Sequence, residues 1–248
     1  MGNTDLLGQS LVAAGWFIPP YIQLRHLHAI AADARAQGTG FAQDDLEAAL
    51  APLYDADSLA AMVLHRYPSA PVIKDFKETI AEAVEAHFGG LGHVAVGGLV
   101  PVVEGAGRRL AAARGLPSGY LKAVFTALAE DCKRESAERG VGNADEIAAM
   151  MNSFRCFITD LLYVSSDSYP LSDKTNRHGI THGAYTDADY GRPINFYKTI
   201  AAVDFLTFVS SFSANISWFA PEPTRDSMRL ADHYRALARL QASRPAVP

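Results

Sequence analysis

The sequence contains little cysteine, and its two cysteines are not arranged for metal binding. Cys132 and Cys156 are the only cysteines among 248 residues. Each lies inside an apolar helical pattern, and the two are too far apart in sequence to form a zinc-ligand motif. We therefore exclude a disulfide framework and a structural zinc site, and we expect two buried, reduced thiols.

An excess of basic charge is also missing. The chain has 22 lysine and arginine residues against 27 aspartate and glutamate residues, which gives a net charge of -5. This balance excludes a protein that coats nucleic acid through a broad basic surface. A local basic site remains compatible with it.

The chain lacks a long, purely apolar run. The most apolar stretch, residues 200–220, approaches membrane-spanning length but contains Asp204 and Asn215. We predict a buried core helix there and no interaction with a membrane. The first ten residues have no basic segment followed by an apolar run, so we expect no secretory signal and a cytoplasmic location.

Several familiar enzyme motifs are missing as well. The sequence has no G-x-S-x-G elbow, no phosphate loop ending in Gly-Lys-Ser/Thr, and no dinucleotide fingerprint between a strand and a helix. Alternating β-type patterns are hard to find, whereas apolar residues recur at three-to-four spacing through most of the chain. The pattern predicts an all-α helical bundle of about eight to nine helices.

Local signals place the helices and suggest three segments. Pro193 predicts the start of a long apolar helix, Asn143 is a suitable N-cap, and Gly140 ends the helix before it. A Gly-rich stretch from His93 to Leu110, with Pro101 in its middle, predicts a kinked helix. We divide the chain into a helical extension (1–66), a bundle (67–220), and an Arg-rich C-terminal helix and tail (221–248).

The segment 176–183, Asn-Arg-His-Gly-Ile-Thr-His-Gly, concentrates the groups that could perform chemistry. It follows a polar, turn-forming stretch and predicts the start of a helix. Arg177 at such a helix start would attract a phosphate. His178 or His182, with a reference pKa of ~6.5, could take a proton from one hydroxyl and return it to a leaving oxygen.

Together these groups suit metal-independent RNA cleavage. In that reaction a ribose 2′-OH attacks the adjacent phosphate, and a guanidinium stabilises the charge that develops. The chemistry requires no metal and no cofactor.

The same residues carry a family resemblance. The stretch from Arg177 to His182 resembles the R-x4-H motif of HEPN domains, which are α-helical bundles, many of them ribonucleases in toxin–antitoxin, abortive-infection and CRISPR-associated systems. A bacterial group with an Asn-Arg-His…His-Gly signature is also similar over much of the chain. Its other two elements match Ala86-His87 and Glu104-Gly105.

The resemblance implies a metal-independent endoribonuclease, in phage defence or a toxin system, with Arg177 and His182 as the catalytic pair. It implies RNA as substrate, a homodimer with a composite cleft, and an antitoxin or other protein partner. On a regular helix Arg177 and His182 would lie about 140° apart, so either Arg177 precedes the helix or two protomers combine. The supporting residues are Asn176, His178, Glu104 and His87.

Three other interpretations stay open. His178 and His182 are four residues apart and could bind a metal, with His87 and Glu104 completing the shell. The motif could instead serve the fold, with Asn176 capping a helix and Glu104 pairing with Arg177. A non-catalytic HEPN-like module that binds a nucleotide, RNA or a protein is the third interpretation.

Charges around the motif weaken the case for RNA binding. Asp173, Asp187 and Asp189 lie close to it in sequence, and Lys174, Arg192 and Lys198 only partly offset them. The terminal helix adds further basic residues, for which a solvated helix face is the simpler interpretation. They are Arg225, Arg229, Arg235, Arg239 and Arg244.

Overall fold

The computed structural model describes residues 3–140, 142–212, 214 and 216–243. Over these residues the regular secondary structure is helical and contains no strand, which confirms the all-α prediction. The α-helices are α1 (Asn3–Ala13), α2 (Leu24–Gln37), α3 (Gln43–Leu50), α4 (Ala56–Ala61), α5 (Lys77–Phe88), α6 (Gly92–Ala113), α7 (Leu121–Arg139), α8 (Ala144–Cys156), α9 (Arg177–Thr181), α10 (Pro193–Ser211) and α11 (Arg225–Ala242).

Helix boundaries follow local chemistry closely. The Asn143 side chain accepts hydrogen bonds from the N–H groups of Asp145 (3.1 Å) and Glu146 (3.3 Å) and so caps α8. Gly140 ends α7 in the left-handed conformation at φ 60°. Pro193 is the first residue of α10, as predicted.

The predicted count of eight to nine helices is too low, because the described residues form eleven α-helices. The helix that the sequence analysis missed is α1. Its leucines at helical spacing, Leu7 and Leu11, form only one step of the three-to-four repeat, which is too short to identify a helix. The buried residues Leu7 and Leu11 nevertheless anchor α1 in the core.

Helix α10 lies at the centre of the bundle. Every residue from Ile194 to Ser211 is buried, as expected of a helix that is covered on all sides. Helices α6 and α3 pack against it, and α5 packs against α6. The predicted core helix at 200–220 is therefore present, but it ends at Ser211, and residues 213 and 215 of that stretch lie outside the described part.

One hydrophobic cluster contains residues of all three predicted segments, from Leu7 to Tyr234. Phe17, just after α1, packs on Phe154 and Phe157 with ring centroids 5.1 and 4.9 Å apart. Helix α11 packs on α4 and α5. Among the described residues, no helix combines the length and apolarity needed to cross a membrane.

Both cysteines are free thiols. Cys132 is buried, and its burial raises the pKa of the thiol to about 12. Cys156 is only partly buried, which differs from the prediction of two buried thiols. It lies at the end of α8, where a π-helical turn (Phe157–Leu162) begins and leads toward the motif.

Candidate functional site

The motif forms one short turn of helix, α9, in the connection between α8 and α10. Asn176 is its N-cap, and its Oδ1 accepts a hydrogen bond from the N–H of Gly179 at 2.9 Å. The Asn176 amide also donates to the carbonyls of Leu161 (3.0 Å) and Val164 (2.9 Å). Asn176 is fully buried, so its supporting role is to hold α9 against the end of the preceding helix.

A buried ion pair fixes the chain immediately before the motif. Lys198 Nζ lies 3.0 Å from Asp173 Oδ2, and neither side chain is exposed to solvent. Lys198 also donates to Gln43 Oε1 at 2.6 Å, and Asn195 donates to the carbonyl of Asp173 at 2.6 Å. This network ties the polar connection to α10.

The buried pair corrects the predicted charge balance around the motif. Asp173 was expected to repel RNA and Lys198 to offset it, but each neutralises the other inside the protein. Asp187 is exposed, as expected of a residue in a polar loop. Asp189 accepts hydrogen bonds from the Thr186 N–H (2.8 Å) and hydroxyl (2.9 Å) and so stabilises a turn.

Arg177 is the centre of the cluster. Its Nε and Nη2 lie 3.1 and 3.0 Å from Glu104 Oε2, on the neighbouring helix α6. Its Nη1 lies 2.8 Å from His182 Nε2 and 3.4 Å from His178 Nδ1. The expected Glu104–Arg177 pair is thus confirmed, and the guanidinium joins a carboxylate to both histidines.

The predicted angular conflict between Arg177 and His182 is wrong. A regular helix through both residues would hold them about 140° apart. In the structure, α9 ends at Thr181 and His182 follows as its C-cap at φ -99° and ψ 4°. The shortened helix lets both side chains converge within one chain. Convergence therefore requires no second protomer.

The two histidines of the motif lie in different surroundings. His182 is exposed, whereas His178 is partly buried, and their rings stack with centroids 5.7 Å apart. Burial and then the Arg177 cation lower the pKa of His178 below its ordinary value. Both effects favour the neutral form of His178, and Arg177 has its ion pair with Glu104.

Gly179 is needed for the shape of this turn. A Cβ atom at this position would lie 2.2 Å from the Tyr185 ring, which is closer than real contacts allow. The Tyr185 hydroxyl donates to the carbonyl of Ser166 at 3.3 Å and so closes the connection over α9. The glycine between the two histidines thus serves packing.

The structure does not bring His87 to the motif. Its ring stacks on Phe196 with centroids 3.9 Å apart and an interplanar angle of 6°. Burial lowers the pKa of His87 to about 4. Over the described residues, no hydrogen bond or ring contact joins His87 to Arg177 or His182. The His87 ring packs against the core, and its supporting role stays a prediction.

The predicted metal shell is not assembled either. It required His87 beside His178 and His182, and His87 lies against aromatic rings. Within the described part of the chain, no group of three or more histidine, cysteine or acidic side chains is arranged to hold a metal ion. The group beside His182 is instead the guanidinium of Arg177, a cation that donates a hydrogen bond and cannot be a metal ligand.

An open cleft of about 640 Å³ lies beside the cluster. Three of its lining side chains are cationic and one is a carboxylate, which gives it a local positive charge. His182 is connected to the cleft through its hydrogen bond to Arg177. The polar lining residues are Glu104, Arg108, Tyr120, Lys122, Tyr163, Arg177 and His178.

Four of these lining residues were missed by sequence reasoning. Arg108 lies one helical turn after Glu104, 3.5 Å from its carboxylate, and this spacing is a signal that could have found it. The other three reach the cleft only through tertiary packing: Tyr120 is the N-cap of α7, Lys122 lies in its first turn, and Tyr163 follows the π-helical turn. The Tyr120 side chain is 90% exposed.

Tyr163 gives the cleft an unusual polar group. Its side chain is 4% exposed, and over the described residues its hydroxyl has no hydrogen-bond partner. Burial, together with the charge of Glu104, raises its pKa, while Arg177 and Arg108 act in the opposite direction. A buried hydroxyl without a partner is costly, so a polar ligand in the cleft would stabilise it.

Three of the other basic residues are already paired with carboxylates. Arg192 lies 2.6 Å from Asp44 and 3.1 Å from Glu47. In α11, Arg229 lies 3.5 Å from Asp226, and Arg235 pairs with both Asp57 and Asp232. These pairs favour the solvated-face interpretation of α11. Arg244 and the rest of the tail from residue 244 lie outside the described residues.

The chain matches no protein-family model, no curated protein and no solved structure. The resemblance to HEPN domains therefore depends on the motif itself and on the all-α fold that carries it.

Proposed function

We propose that the cleft binds a phosphate of RNA, and that Arg177 and His182 cleave the RNA strand at that phosphate without a metal ion. The single observation that carries this proposal is the 2.8 Å contact between Arg177 Nη1 and His182 Nε2 beside a cationic, solvent-reachable cleft. A guanidinium and an imidazole on one phosphate are the two groups that the reaction needs.

The charge of the cleft favours an anion. Arg108, Lys122 and Arg177 line it against the single carboxylate of Glu104. This local excess of positive charge occurs on a chain whose net charge is -5, so attraction of RNA would be confined to the cleft. The exposed Tyr120 ring offers a surface on which a base of single-stranded RNA would stack.

The chemistry follows from the tautomer that the contact requires. Because a guanidinium can only donate, the contact requires that His182 Nε2 carries the lone pair of a neutral imidazole. When Arg177 turns from this nitrogen to the bound phosphate, the lone pair becomes free to accept the proton of a ribose 2′-OH. The 2′ oxygen attacks phosphorus, and Arg177 stabilises the added negative charge. The 5′ oxygen leaves with the proton returned by His182, so the products are a 2′,3′-cyclic phosphate and a 5′-hydroxyl end.

The partners implied by the resemblance belong to the same proposal. An endoribonuclease of this type would act in phage defence or as a toxin, and an antitoxin or other protein partner would cover the cleft. A homodimer stays a prediction, which the size of the protein in solution would test. The convergence of Arg177 and His182 within one chain means that a monomer would keep the catalytic pair.

The test is cleavage of a mixed, fluorescently labelled RNA with and without chelator. We expect cleavage that resists the chelator, leaves cyclic phosphate ends, and falls by about 10²–10⁴-fold in Arg177→Ala and His182→Ala. The matched control is His233→Ala. His233 is another exposed histidine, which lies in α11 and contacts Glu85 of α5 at 3.3 Å. Cleavage that persists in His182→Ala, or that the chelator abolishes, would contradict the proposal.

A second candidate function is a non-catalytic module that binds RNA, a nucleotide or a protein partner. The observation that favours it is the saturation of Arg177, whose nitrogen atoms already contact Glu104 and His182. This candidate predicts RNA binding that is weakened in Lys122→Ala and Arg108→Ala with no cleavage in the wild type. Binding and cleavage assays on the same samples separate the two functions.

A further inference from the structure

A second cavity, unrelated to the motif, lies between α4, α10 and the segment that precedes α11. Its volume is about 170 Å³, and it is more enclosed than the cleft beside Arg177. Apolar residues form most of its wall. Its polar side chains are Tyr21, Tyr54, Asp57, Ser58 and Asp204.

Asp204 is the chemical centre of this cavity. It projects from the buried helix α10, is 4% exposed, and accepts a hydrogen bond from the Tyr67 hydroxyl at 2.8 Å. Burial and then the Asp204 charge raise the pKa of Tyr54 and of Tyr67. Burial and the same carboxylate also raise the pKa of Tyr21. Tyr67 therefore contacts the Asp204 carboxylate directly, and Tyr21 and Tyr54 line the same cavity.

Two of these hydroxyls have no protein partner. Over the described residues, the buried Oη atoms of Tyr21 and Tyr54 make no hydrogen bond, although both side chains line the cavity. Each such group costs roughly 1–3 kcal/mol when left unsatisfied. Tyr21 is also held at φ 65°, a conformation that residues other than glycine rarely adopt. The cavity thus presents polar groups that a ligand would satisfy.

The charges around the cavity favour a cation. In the described part of the chain, no lysine or arginine forms an ion pair with Asp204, whereas Asp57 at the wall is paired with Arg235. The guanidinium of Arg66 lies 5.5 Å from the centroid of the Tyr21 ring and donates to the carbonyl of Phe219 at 2.6 Å. Burial raises the pKa of Asp204 to about 7, so its carboxyl group is ionised above neutral pH, where an ammonium group among the tyrosine rings would stabilise the charge.

We propose that this cavity binds a small organic amine as its ammonium cation, with the charge on Asp204 and the remaining polar atoms on the Tyr21 and Tyr54 hydroxyls. At roughly 30 Å³ for each water-sized group, the cavity holds about five or six non-hydrogen atoms. Alkylamines and amino alcohols of two to four carbons fit this size. The proposal is independent of RNA cleavage.

The test measures binding of propylammonium to the full chain by calorimetry and by the shift of the thermal unfolding midpoint, with 1-propanol as the neutral ligand of equal size. We expect propylammonium to bind in the millimolar range and 1-propanol at least about tenfold more weakly. Sodium chloride at the same ionic strength controls for salt effects.

Three variants locate the site. Asp204→Asn should weaken binding of propylammonium at least about tenfold, and Tyr54→Phe should weaken it about three- to tenfold. Tyr54→Phe should fold as well as the wild type, because the hydroxyl that it removes has no protein partner. Asp226→Asn, which removes an exposed carboxylate of α11, should leave binding unchanged.

Several results would overturn the proposal. These are absence of binding up to about 100 mM propylammonium, equal affinity for 1-propanol, and unchanged affinity in Asp204→Asn. If Asp204→Asn fails to fold, Tyr54→Phe decides the question, since an affinity equal to that of the wild type would exclude the cavity as the binding site.

Discussion

Two cation–carboxylate pairs hold the motif, one just before it and one through Arg177 within it, and they differ in what surrounds them. Asp173–Lys198 and Glu104–Arg177 have the same closest nitrogen–oxygen distance, 3.0 Å. The first pair is completely buried, with 0% exposure of both side chains. The second lies at a cleft, where the Arg177 and Glu104 side chains are 19% and 24% exposed.

The difference lies in the remaining hydrogen-bonding capacity. Asp173 also accepts from Tyr169 and Thr175, and Lys198 also donates to Gln43, so the buried pair is closed to a ligand. Arg177 instead connects to the exposed His182, whose imidazole a ligand can reach. A saturated pair serves stability, whereas a solvent-reachable pair with an imidazole beside it can serve chemistry.

The largest expected effect comes from opening the buried pair. Lys198→Met removes the cation and leaves the Asp173 carboxylate uncompensated in the interior, which should lower the free energy of unfolding by about 3–5 kcal/mol. Urea unfolding followed by circular dichroism measures this loss. The matched control is Arg229→Met, which removes one side of the exposed pair with Asp226 and should change stability by less than about 0.5 kcal/mol. Equal effects in the two variants would contradict the comparison.

The next effect concerns pH and His87. Burial lowers the pKa of His87 to about 4 from 6.5, so the folded protein binds fewer protons than the unfolded chain between these values. The contribution of His87 to stability is thus complete above pH 6.5 and is lost as pH falls toward 4, by up to about 3 kcal/mol. His87→Phe keeps the stacking on Phe196 and should flatten this part of the pH profile. If the variant loses stability between pH 6.5 and 4 as the wild type does, groups other than His87 cause that loss.

A smaller effect is expected at the helix cap that positions the motif. Asn176→Ala removes the cap of α9 and both hydrogen bonds to the carbonyls of Leu161 and Val164. We expect a loss of about 2 kcal/mol in the free energy of unfolding and faster amide exchange at Gly179. Asn143→Ala, at the exposed cap of α8, is the control and should cost about 1 kcal/mol. A cost no larger than that of the control would remove Asn176 from the positioning of the site.

The sequence predicts features whose causes are local. Asn143, Gly140 and Pro193 mark helix boundaries correctly because cap and turn chemistry acts over a few residues. The Glu104–Arg177 pair could also be predicted, since a carboxylate in an apolar helix needs a cationic partner.

Features that depend on packing between distant segments could not be predicted. The burial of Asp173 against Lys198, and of His87 against Phe196, depends on where α10 lies, which periodicity does not specify. The angle between Arg177 and His182 was misjudged because the sequence does not show that α9 ends after one turn. Which residues of the motif are buried and which can contact a ligand is therefore known only from the structure.

The smallest expected change in stability is the one that tests the site most directly. His182 is exposed, and its hydrogen bond to Arg177 lies at the surface, so His182→Ala should change the free energy of unfolding by less than about 0.5 kcal/mol. If the histidine served the fold, its removal would lower stability as Asn176→Ala does. A variant that unfolds like the wild type but no longer cleaves RNA would assign His182 to chemistry. Stability would then depend on Asn176 and activity on His182, two residues of the same turn. A loss of more than about 1 kcal/mol would assign it to the fold instead.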